Sequence, residues 1–446
     1  MASPVVLSDG DVLWDVVDEH LAEAAFLFEQ VQRAHDSPVT TLDVLARDAE
    51  ARLDAHVDAL VVGADPVRDR VLGPRLREPD PEAVDLVAAA ALATCAAGSL
   101  GDLVPALAHE NGEVRDAAAV AFAWSASDRA RRWILGRLEA TGSPFERASL
   151  LRVCGSLGER VSPMVQWLQA DDPVLVRAAA RAALHTEPDK HRPIVEFLLD
   201  QPDEAVAQAL LAPGLAWGTA RAWRRCVQLA TDTKRVHPVA MALYAALGRP
   251  GDHERLVGLL ESPSHARAAL FSLGFSGNAA VLGPLVAQVE GESAAHRKLA
   301  AQAIAMITGI EVPALPLAGA PAEDDEGPRA LPPLDSDDLE ADLAPAAEDA
   351  LPEPDPAAIR RLCGEAALRL SSDRRWLAGQ PHTPSTLVEY LGRAPLGQRH
   401  VLALSLYVRT RGGAWIDTRA RTARQREQLA RAESVVRGAS GSPGPW

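Results

Sequence analysis

The sequence predicts an all-α protein in which helix pairs stack into an array, an α-solenoid. Three observations support this fold class: a repeat, a proline pattern and the composition. Ala/Leu-rich stretches recur about 30 residues apart over more than half of the chain. A period of about 20 to 50 residues is typical of repeat arrays. The stretches open at seven anchor positions, which are Arg115, Arg147, Arg177, Ala207, His237, Arg267 and Lys298.

Prolines indicate where the helices of each repeat begin. Proline is tolerated in the first helical turn, where its missing N–H would lack a partner, but inside a helix it costs about 3 kcal/mol. One set lies fourteen residues before an anchor, at Pro163, Pro193 and Pro284. A second set lies a few residues before the anchors, at Pro144, Pro173, Pro202 and Pro263. Each repeat is therefore predicted as two helices with a turn after each, with Ser143, Asp172 and Ser262 as N-caps.

Composition agrees with closely stacked helices. Hydrophobic residues make up 48% of the chain and aromatic residues only 4%, whereas β-rich folds favour aromatic and β-branched side chains. The net charge of −16 argues against nucleic acid as the main partner, because DNA binding requires basic residues to neutralise phosphates. The four cysteines are scattered, and neither a secretory signal nor a membrane-spanning stretch is visible. We expect a cytoplasmic protein.

The chain divides into four predicted regions. Residues 1–66 form a helical hairpin that caps the array, with Asp48, Glu50 and Asp54 expected on a solvated face. Residues 67–310 form the repeat array, which ends at the C-capping Gly309. Residues 311–356 hold ten prolines and fourteen acidic residues and are expected to be a disordered linker. Residues 357–446 hold fifteen arginines against six acidic residues and are expected to be helical.

No motif for catalysis or cofactor binding is apparent. The chain has no P-loop, no G-x-S-x-G elbow, no H-E-x-x-H and no Cys/His cluster with zinc spacing. Two His-Glu pairs, His109-Glu110 and His253-Glu254, resemble those that bind a di-iron centre in deoxyhypusine hydroxylase, a HEAT-like array. The two pairs occupy different positions relative to their anchors, so they are not expected to converge. We therefore expect no catalytic, cofactor or metal site, with Glu254 favouring a helix N-terminus.

Two sets of residues are candidates for contacts with a partner. The arginines at the anchor positions are interpreted either as a ladder that grips an acidic partner or as structural hydrogen-bond donors to neighbouring repeats, and the second interpretation is favoured. The C-terminal region combines aromatic and arginine side chains, the residue types that dominate interface hot spots. Its candidates for partner binding are Trp376, Tyr390, Arg399, Tyr407, Arg409 and Trp415.

The repeats resemble the HEAT family and the HEAT repeats of phycobilisome lyases. The whole chain resembles a group of uncharacterised proteobacterial HEAT-like proteins that are often encoded beside type VI secretion spike genes. Short islands in order along the chain carry this resemblance. They are His20-Leu-Ala-Glu-Ala-Ala-Phe-Leu-Phe28, Ala55-His-Val-Asp-Ala-Leu60, Ile307-Thr-Gly309, Leu351-Pro-Glu-Pro-Asp-Pro356, Arg375-Trp-Leu-Ala-Gly-Gln-Pro381 and Gly397-Gln-Arg399. The resemblance implies a HEAT-like α-solenoid with an accessory role in handling secretion spikes or effectors.

These observations together predict a non-enzymatic scaffold or adaptor that binds another protein. The partner would be a spike or effector protein, without involvement of nucleic acid or membrane. Two alternatives remain open at this point. One is a lyase or chaperone for a covalently attached chromophore, and the other is a HEAT array that binds nucleic acid through a basic face of residues 67–310.

Overall fold

The computed structural model describes residues 10, 12–77, 83–162, 164–315 and 346–439 of the chain. The fold is all-α and repeat-like, as predicted, and the described residues contain a single two-stranded hairpin besides the helices. The chain forms two compact units. The first unit comprises residues 1–247 together with 383–446, and the second comprises residues 248–382. Within the described part of the chain, no helix has both the length and the apolar character needed to cross a membrane.

The first unit opens with the predicted hairpin. Helix α1 packs against α3, and both pack against α6. A π-helical turn, Ala46–Glu50, leads into α3 and places Glu50 in a buried position. The helices of this part are α1 (Trp14–Ala34), α2 (Leu42–Leu45), α3 (Ala51–Val62), α4 (Ala64–Val67), α5 (Gly73–Arg77) and α6 (Val84–Ala97).

Five helix pairs follow in the first unit, and we call their members first and second helices. The first helices are α7 (Val104–Leu107), α9 (Asp128–Ala140), α11 (Met164–Leu168), α13 (Pro188–Leu199) and α15 (Ala220–Ala230). The second helices are α8 (Gly112–Ser125), α10 (Pro144–Leu157), α12 (Pro173–Ala182), α14 (Glu204–Ala216) and α16 (Pro238–Leu247). Successive second helices pack against one another from α6 through α16. Continuous stacking of all repeats into a solenoid stays a prediction.

The local signals for helix starts are confirmed at Pro144 and Pro173, which begin α10 and α12. Ser143 and Asp172 cap these helices by accepting hydrogen bonds from main-chain N–H groups two or three residues on. Pro163 lies outside the described residues, and Pro202 and Pro263 lie before helices that begin only at Glu204 and Ala266.

Two further predictions are wrong. Helix α13 begins at Pro188, so Pro193 lies inside it, where packing of the apolar face outweighs the lost hydrogen bond. Ser262 does not cap a helix with its side chain, because the next helix begins only at Ala266 and its N-cap is His265.

The second unit contains two further pairs and a short C-terminal part. Its pairs are α17 (Pro250–Gly258) with α18 (Ala266–Leu273), and α19 (Leu282–Val289) with α20 (Ala294–Thr308). Gly309 ends α20 in the left-handed conformation, with φ 72°, as predicted. Helix α21 (Pro356–Ala367) and the hairpin of β1 (Trp376–Leu377) with β2 (Gln380–Pro381) complete this unit.

The structure differs from the expected disordered linker at both of its ends. Ala314 and Pro354 form an antiparallel bridge. The Leu315 amide donates to the Glu353 carbonyl at 2.9 Å, and the Asp355 amide donates to the Pro313 carbonyl at 2.8 Å. These ends are ordered because their backbone groups pair with each other. Residues 316–345 of the predicted linker lie outside the described residues.

The predicted C-terminal region also divides differently. Residues 356–382 belong to the second unit, whereas the residues from 383 onward belong to the first. We call residues 383–439 the cover segment. Its helices are α22 (Pro384–Arg393), α23 (Leu396–Arg409) and α24 (Thr422–Ala439). Helix α23 packs on α14 and α16, so the end of the chain returns to helices that precede it by well over a hundred residues.

Candidate interaction surface on the carboxyl ends of the second helices

Each α-helix ends with main-chain carbonyl groups that have no partner within the helix and need one from elsewhere. In the first unit, the cover segment supplies donors to carbonyl groups near the ends of several second helices. We call this row of carbonyl groups the carboxyl edge. Cationic side chains are favoured there, because the partial charge at a helix C-terminus is negative.

Arg424 binds the carboxyl edge at α8. Its guanidinium donates to the Ala123 carbonyl at 3.0 Å and to the Ala126 carbonyl at 2.6 Å. Ala123 lies in the last turn of α8 and Ala126 is its C-cap. One guanidinium therefore satisfies two carbonyl groups of one helix end. Burial lowers the pKa of Arg424, but an arginine remains cationic at neutral pH.

Two aromatic residues contact the ends of α10 and α12. The Tyr407 hydroxyl donates a buried hydrogen bond to the carbonyl of Leu184, in the turn that follows α12. The Trp415 ring packs edge-on against His185, with centroids 4.9 Å apart, and against Tyr407. Gly158, the left-handed C-cap of α10 with φ 73°, leaves space beside the indole, because a Cβ there would lie 3.4 Å from it.

Arg409 extends the same pattern to α16. Its guanidinium donates to the Ala246 carbonyl at 2.8 Å, in the last turn of that helix. A second bond from its Nε to the Ser405 hydroxyl at 3.2 Å holds the side chain in place. Burial lowers the pKa of Arg409 to about 10, so the residue is charged at neutral pH. Arg409, Tyr407 and Arg424 thus bind three different helix ends.

The cover segment also docks on the N-terminal hairpin, through charge. The buried Glu50 carboxylate accepts from the Thr422 amide at 3.0 Å and from the Thr422 hydroxyl at 2.5 Å, at the start of α24. Arg421 pairs with Asp54 and stacks over the Trp124 ring, 4.4 Å from its centroid. The expectation of a solvated face is therefore wrong for Glu50, which is buried, whereas Asp54 stays half-exposed. Both face the arginine-rich segment, although burial raises the pKa of each carboxyl.

The predicted partner-binding residues have different surroundings. Arg399 is fully buried and donates to the Gln425 side chain at 2.8 Å, and its Nε and one Nη find no partner among the described residues. Half-buried Tyr390 donates to Gln398 at 3.0 Å. Tyr390, Arg399, Tyr407, Arg409 and Trp415 all belong to the cover segment, where the rings of Tyr407 and Trp415 contact each other. Trp376 belongs to the second unit, where its indole N–H donates to the Ser371 carbonyl.

Helix ends are capped in a similar way within the second unit. The Arg375 guanidinium donates to the Ser276 carbonyl at 2.6 Å and to the Phe275 carbonyl at 3.0 Å, just after α18. The Ala378 amide donates to the Met306 carbonyl at 2.6 Å, in the last turn of α20. Donors from a later chain segment therefore meet second-helix carbonyl groups in both units.

The anchor arginines serve structural contacts in the first unit. Arg115 donates to the Glu110 carbonyl at 2.7 Å, and Arg147 donates to the Thr141 carbonyl. Both carbonyl groups lie in the turn before the anchor's own helix, rather than in a neighbouring repeat. Arg177 does reach the next repeat, with Nε 3.0 Å from a carboxylate oxygen of Asp203.

In the second unit, basic residues at and beside the anchors hold an acidic peptide instead. Arg267 pairs with the buried Glu348, and the neighbour of the last anchor, Arg297, pairs with Glu353 at 2.5 Å. The Lys298 ammonium donates to the Asp349 carbonyl at 3.3 Å. Residues 348–353 belong to the predicted acidic linker, so these basic residues also bind groups of their own chain, and a ladder that grips an acidic partner stays a prediction.

The His-Glu pairs and the cysteines have ordinary local roles. His109 Nδ1 accepts from the Asn111 amide at 3.0 Å, and the buried His253 ring hydrogen-bonds the Asn278 side chain at 3.1 Å. The described residues contain no group of three or more His, Cys, Asp or Glu side chains arranged to hold a metal ion. Burial raises the pKa of Cys154 and Cys226 to about 12, which keeps these thiols protonated at neutral pH.

In comparisons with known proteins, no family model and no curated protein matches this chain. The resemblance to HEAT-like proteins encoded beside type VI secretion genes therefore stays an expectation from the sequence.

Proposed function

We propose that this protein is a non-enzymatic adaptor that binds another protein. The observation that supports this proposal best is that the helix-pair scaffold already holds two segments of its own chain. In the first unit, Arg and Tyr side chains of the cover segment donate hydrogen bonds to the carbonyl groups of the carboxyl edge. In the second unit, Arg267 and Arg297 form ion pairs with the carboxylates of Glu348 and Glu353. Helix pairs that hold segments in these two ways are suited to holding a segment of another protein.

Unsatisfied polar groups beneath the cover segment also support the proposal that another protein binds this surface. Several buried polar atoms where the cover segment meets the rest of the first unit have no partner among the described residues. They include both ring nitrogens of His35, two guanidinium nitrogens of Arg399 and the indole nitrogen of Trp415. An unsatisfied buried polar group costs about 1–3 kcal/mol. Docking of the cover segment is therefore less favourable than its many contacts suggest.

The resemblance stated for the sequence gives the partner class. We propose a type VI secretion spike protein or an effector that travels with it, met in the cytoplasm. A partner that brings Arg and Tyr donors would suit helix ends like those the cover segment binds. A partner that brings carboxylates would suit free basic residues, by the chemistry that binds residues 348–353.

Affinity purification of the tagged full-length protein from its own cells tests this function. We expect spike or effector proteins to be enriched over a tag-only control, and chemical cross-linking with mass spectrometry then identifies the contacting residues. Recovery of a covalently bound chromophore without any secretion protein would contradict the adaptor proposal and support the lyase alternative. Recovery of nucleic acid that is lost at high salt would support the other alternative.

A further inference from the structure

A polar cleft lies in the first unit, and no residue of the cover segment lines it. It has a volume of about 430 Å³ and is lined by residues from the end of α5, the turn after α6 and the start of α9. Arg68, Arg77 and Arg129 line it together with the half-buried Trp133. Because its lining is mostly polar and charged, a ligand of this cleft would be bound through charge and hydrogen bonds rather than through an apolar pocket.

The three arginines differ in what they bind. Arg68 is neutralised by carboxylates, with Asp65 at 2.7 Å and Asp69 at 2.9 Å. Arg77 and Arg129 form no hydrogen bond or ion pair with any described residue, although each has five N–H donors. The cleft therefore presents two guanidinium groups that contact no carboxylate of the residues that the structure describes.

Two glycines leave room for these guanidinium groups close to the backbone, because they have no Cβ. A Cβ at Gly73 would lie 3.0 Å from the Arg77 guanidinium, and a Cβ at Gly98 would lie 3.0 Å from that of Arg129. Gly98 is also the left-handed C-cap of α6, with φ 75°. Larger residues at these positions would push the guanidinium groups away from the cleft wall.

In the second unit, arginines of the helix pairs bind carboxylate groups. Arg267 and Arg297 each bind a glutamate of the peptide 348–353, and charge-assisted bonds from guanidinium to carboxylate are strong and geometrically specific. DNA suits the cleft less well, because binding its backbone requires many basic residues to neutralise successive phosphates, and only three arginines of the described residues line the cleft.

We propose that this cleft binds an acidic peptide segment of a partner protein. Arg77 and Arg129 each take one carboxylate of that segment, and the Trp133 ring packs on the peptide between them. This inference rests on the proposed adaptor function and assigns the chemistry of one of its contacts.

Fluorescence anisotropy with a labelled hexaglutamate peptide tests the cleft directly, without the natural partner. The full-length protein is expected to bind this probe and not a hexaglutamine peptide, with affinity that falls as salt is raised. Arg129→Ala and Arg77→Ala are each expected to weaken binding at least tenfold. Arg132→Ala serves as the matched control, because Arg132 is exposed on the same helix as Arg129 but does not line the cleft. This variant is expected to bind within twofold of the wild type.

Three results would overturn the proposal. The first is no difference between the two peptides, and the second is an equal loss of affinity in Arg129→Ala and Arg132→Ala. The third concerns Glu78, Asp80 and Glu82, which follow Arg77 in the sequence and lie outside the described residues. If the peptide bound only after these three were replaced by Gln, Asn and Gln, the cleft would serve the chain's own acidic residues. Failure to purify a spike or effector protein would affect the proposed function and leave this binding test standing.

Discussion

The hydroxyl of Tyr407 donates a hydrogen bond to the main-chain carbonyl of Leu184, which precedes it by 223 residues. Leu184 lies in the turn that ends the third helix pair, and Tyr407 lies near the end of α23 in the cover segment. A single side chain thus links the C-terminal part of the chain to the middle of the repeats. The following predictions test this docking and its energetics.

Replacing Tyr407 by Phe is expected to destabilise the protein by about 1–2 kcal/mol, because the Leu184 carbonyl then loses a buried donor. Urea unfolding followed by circular dichroism measures the change. Tyr390→Phe is the comparison, since the Tyr390 hydroxyl bonds only to the Gln398 side chain within the cover segment. It is expected to cost clearly less. Equal losses of unfolding free energy in the two variants would show that the bond to Leu184 stabilises the protein no more than the bond to Gln398 does.

Two glycines of the cover segment are expected to respond in opposite ways to alanine. At Gly397 a Cβ would lie 2.7 Å from the carbonyl oxygen of Asp36, whereas at Gly392 it would meet nothing within 4 Å. Gly397→Ala is therefore expected to cost about 1–3 kcal/mol, because backbone groups must move apart. Gly392→Ala, on the exposed face of α22, is expected to gain up to about 1 kcal/mol from helix propensity. Thermal and urea unfolding of both variants provide the test. Equal stability of the two variants would contradict close packing of Gly397 against the Asp36 carbonyl.

His35 is expected to make stability depend on pH. Its pKa is lowered from 6.5 to about 4, first by burial and then by the Arg419 and Arg399 charges, which outweigh Asp36. Between pH 6.5 and 4 the unfolded state binds a proton that the folded state does not. Stability therefore falls as the pH drops through this window, and from pH 7 to 5 the contribution of His35 is about 2 kcal/mol.

The variant His35→Gln removes this titration. Its unfolding free energy is expected to fall by about 2 kcal/mol less than that of the wild type when the pH changes from 7 to 5. Comparing each protein with itself at the two pH values cancels the change in side-chain shape. Identical pH dependence in the two proteins would mean that His35 is not buried as a neutral ring.

The repeat structure could be predicted from the sequence because its signals are local. The N-caps Ser143 and Asp172 each depend on residues within one helical turn, and the anchors recur at a nearly fixed spacing that is visible in the sequence itself. The local signal gave a wrong helix start at Pro193. This proline lies inside α13, where packing outweighs the preference of proline for the first turn. The same reasoning correctly placed Gly309 at the end of α20.

The interaction surface could be predicted only in part. The aromatic and arginine residues of the C-terminal region indicated contacts with a partner, but no local pattern revealed that several of them bind groups of the same chain. Glu50 illustrates the difficulty, since its helical position resembles that of a solvated acid and only the arrival of Thr422 makes it buried. Arg424 was missed for the same reason, because its acceptors lie about 300 residues earlier in the chain.

A double-mutant cycle between Glu50 and Thr422 tests most directly whether the cover segment docks on the rest of the first unit. These residues are separated by 372 positions, and the Glu50 carboxylate accepts from both the amide and the hydroxyl of Thr422, of which Thr422→Ala removes the hydroxyl. Unfolding free energies of Glu50→Ala, Thr422→Ala and the double variant give the coupling between them. We predict a coupling of about 1 kcal/mol or more, as expected for residues in contact. Losses that simply add, to within about 0.5 kcal/mol, would contradict the docked arrangement.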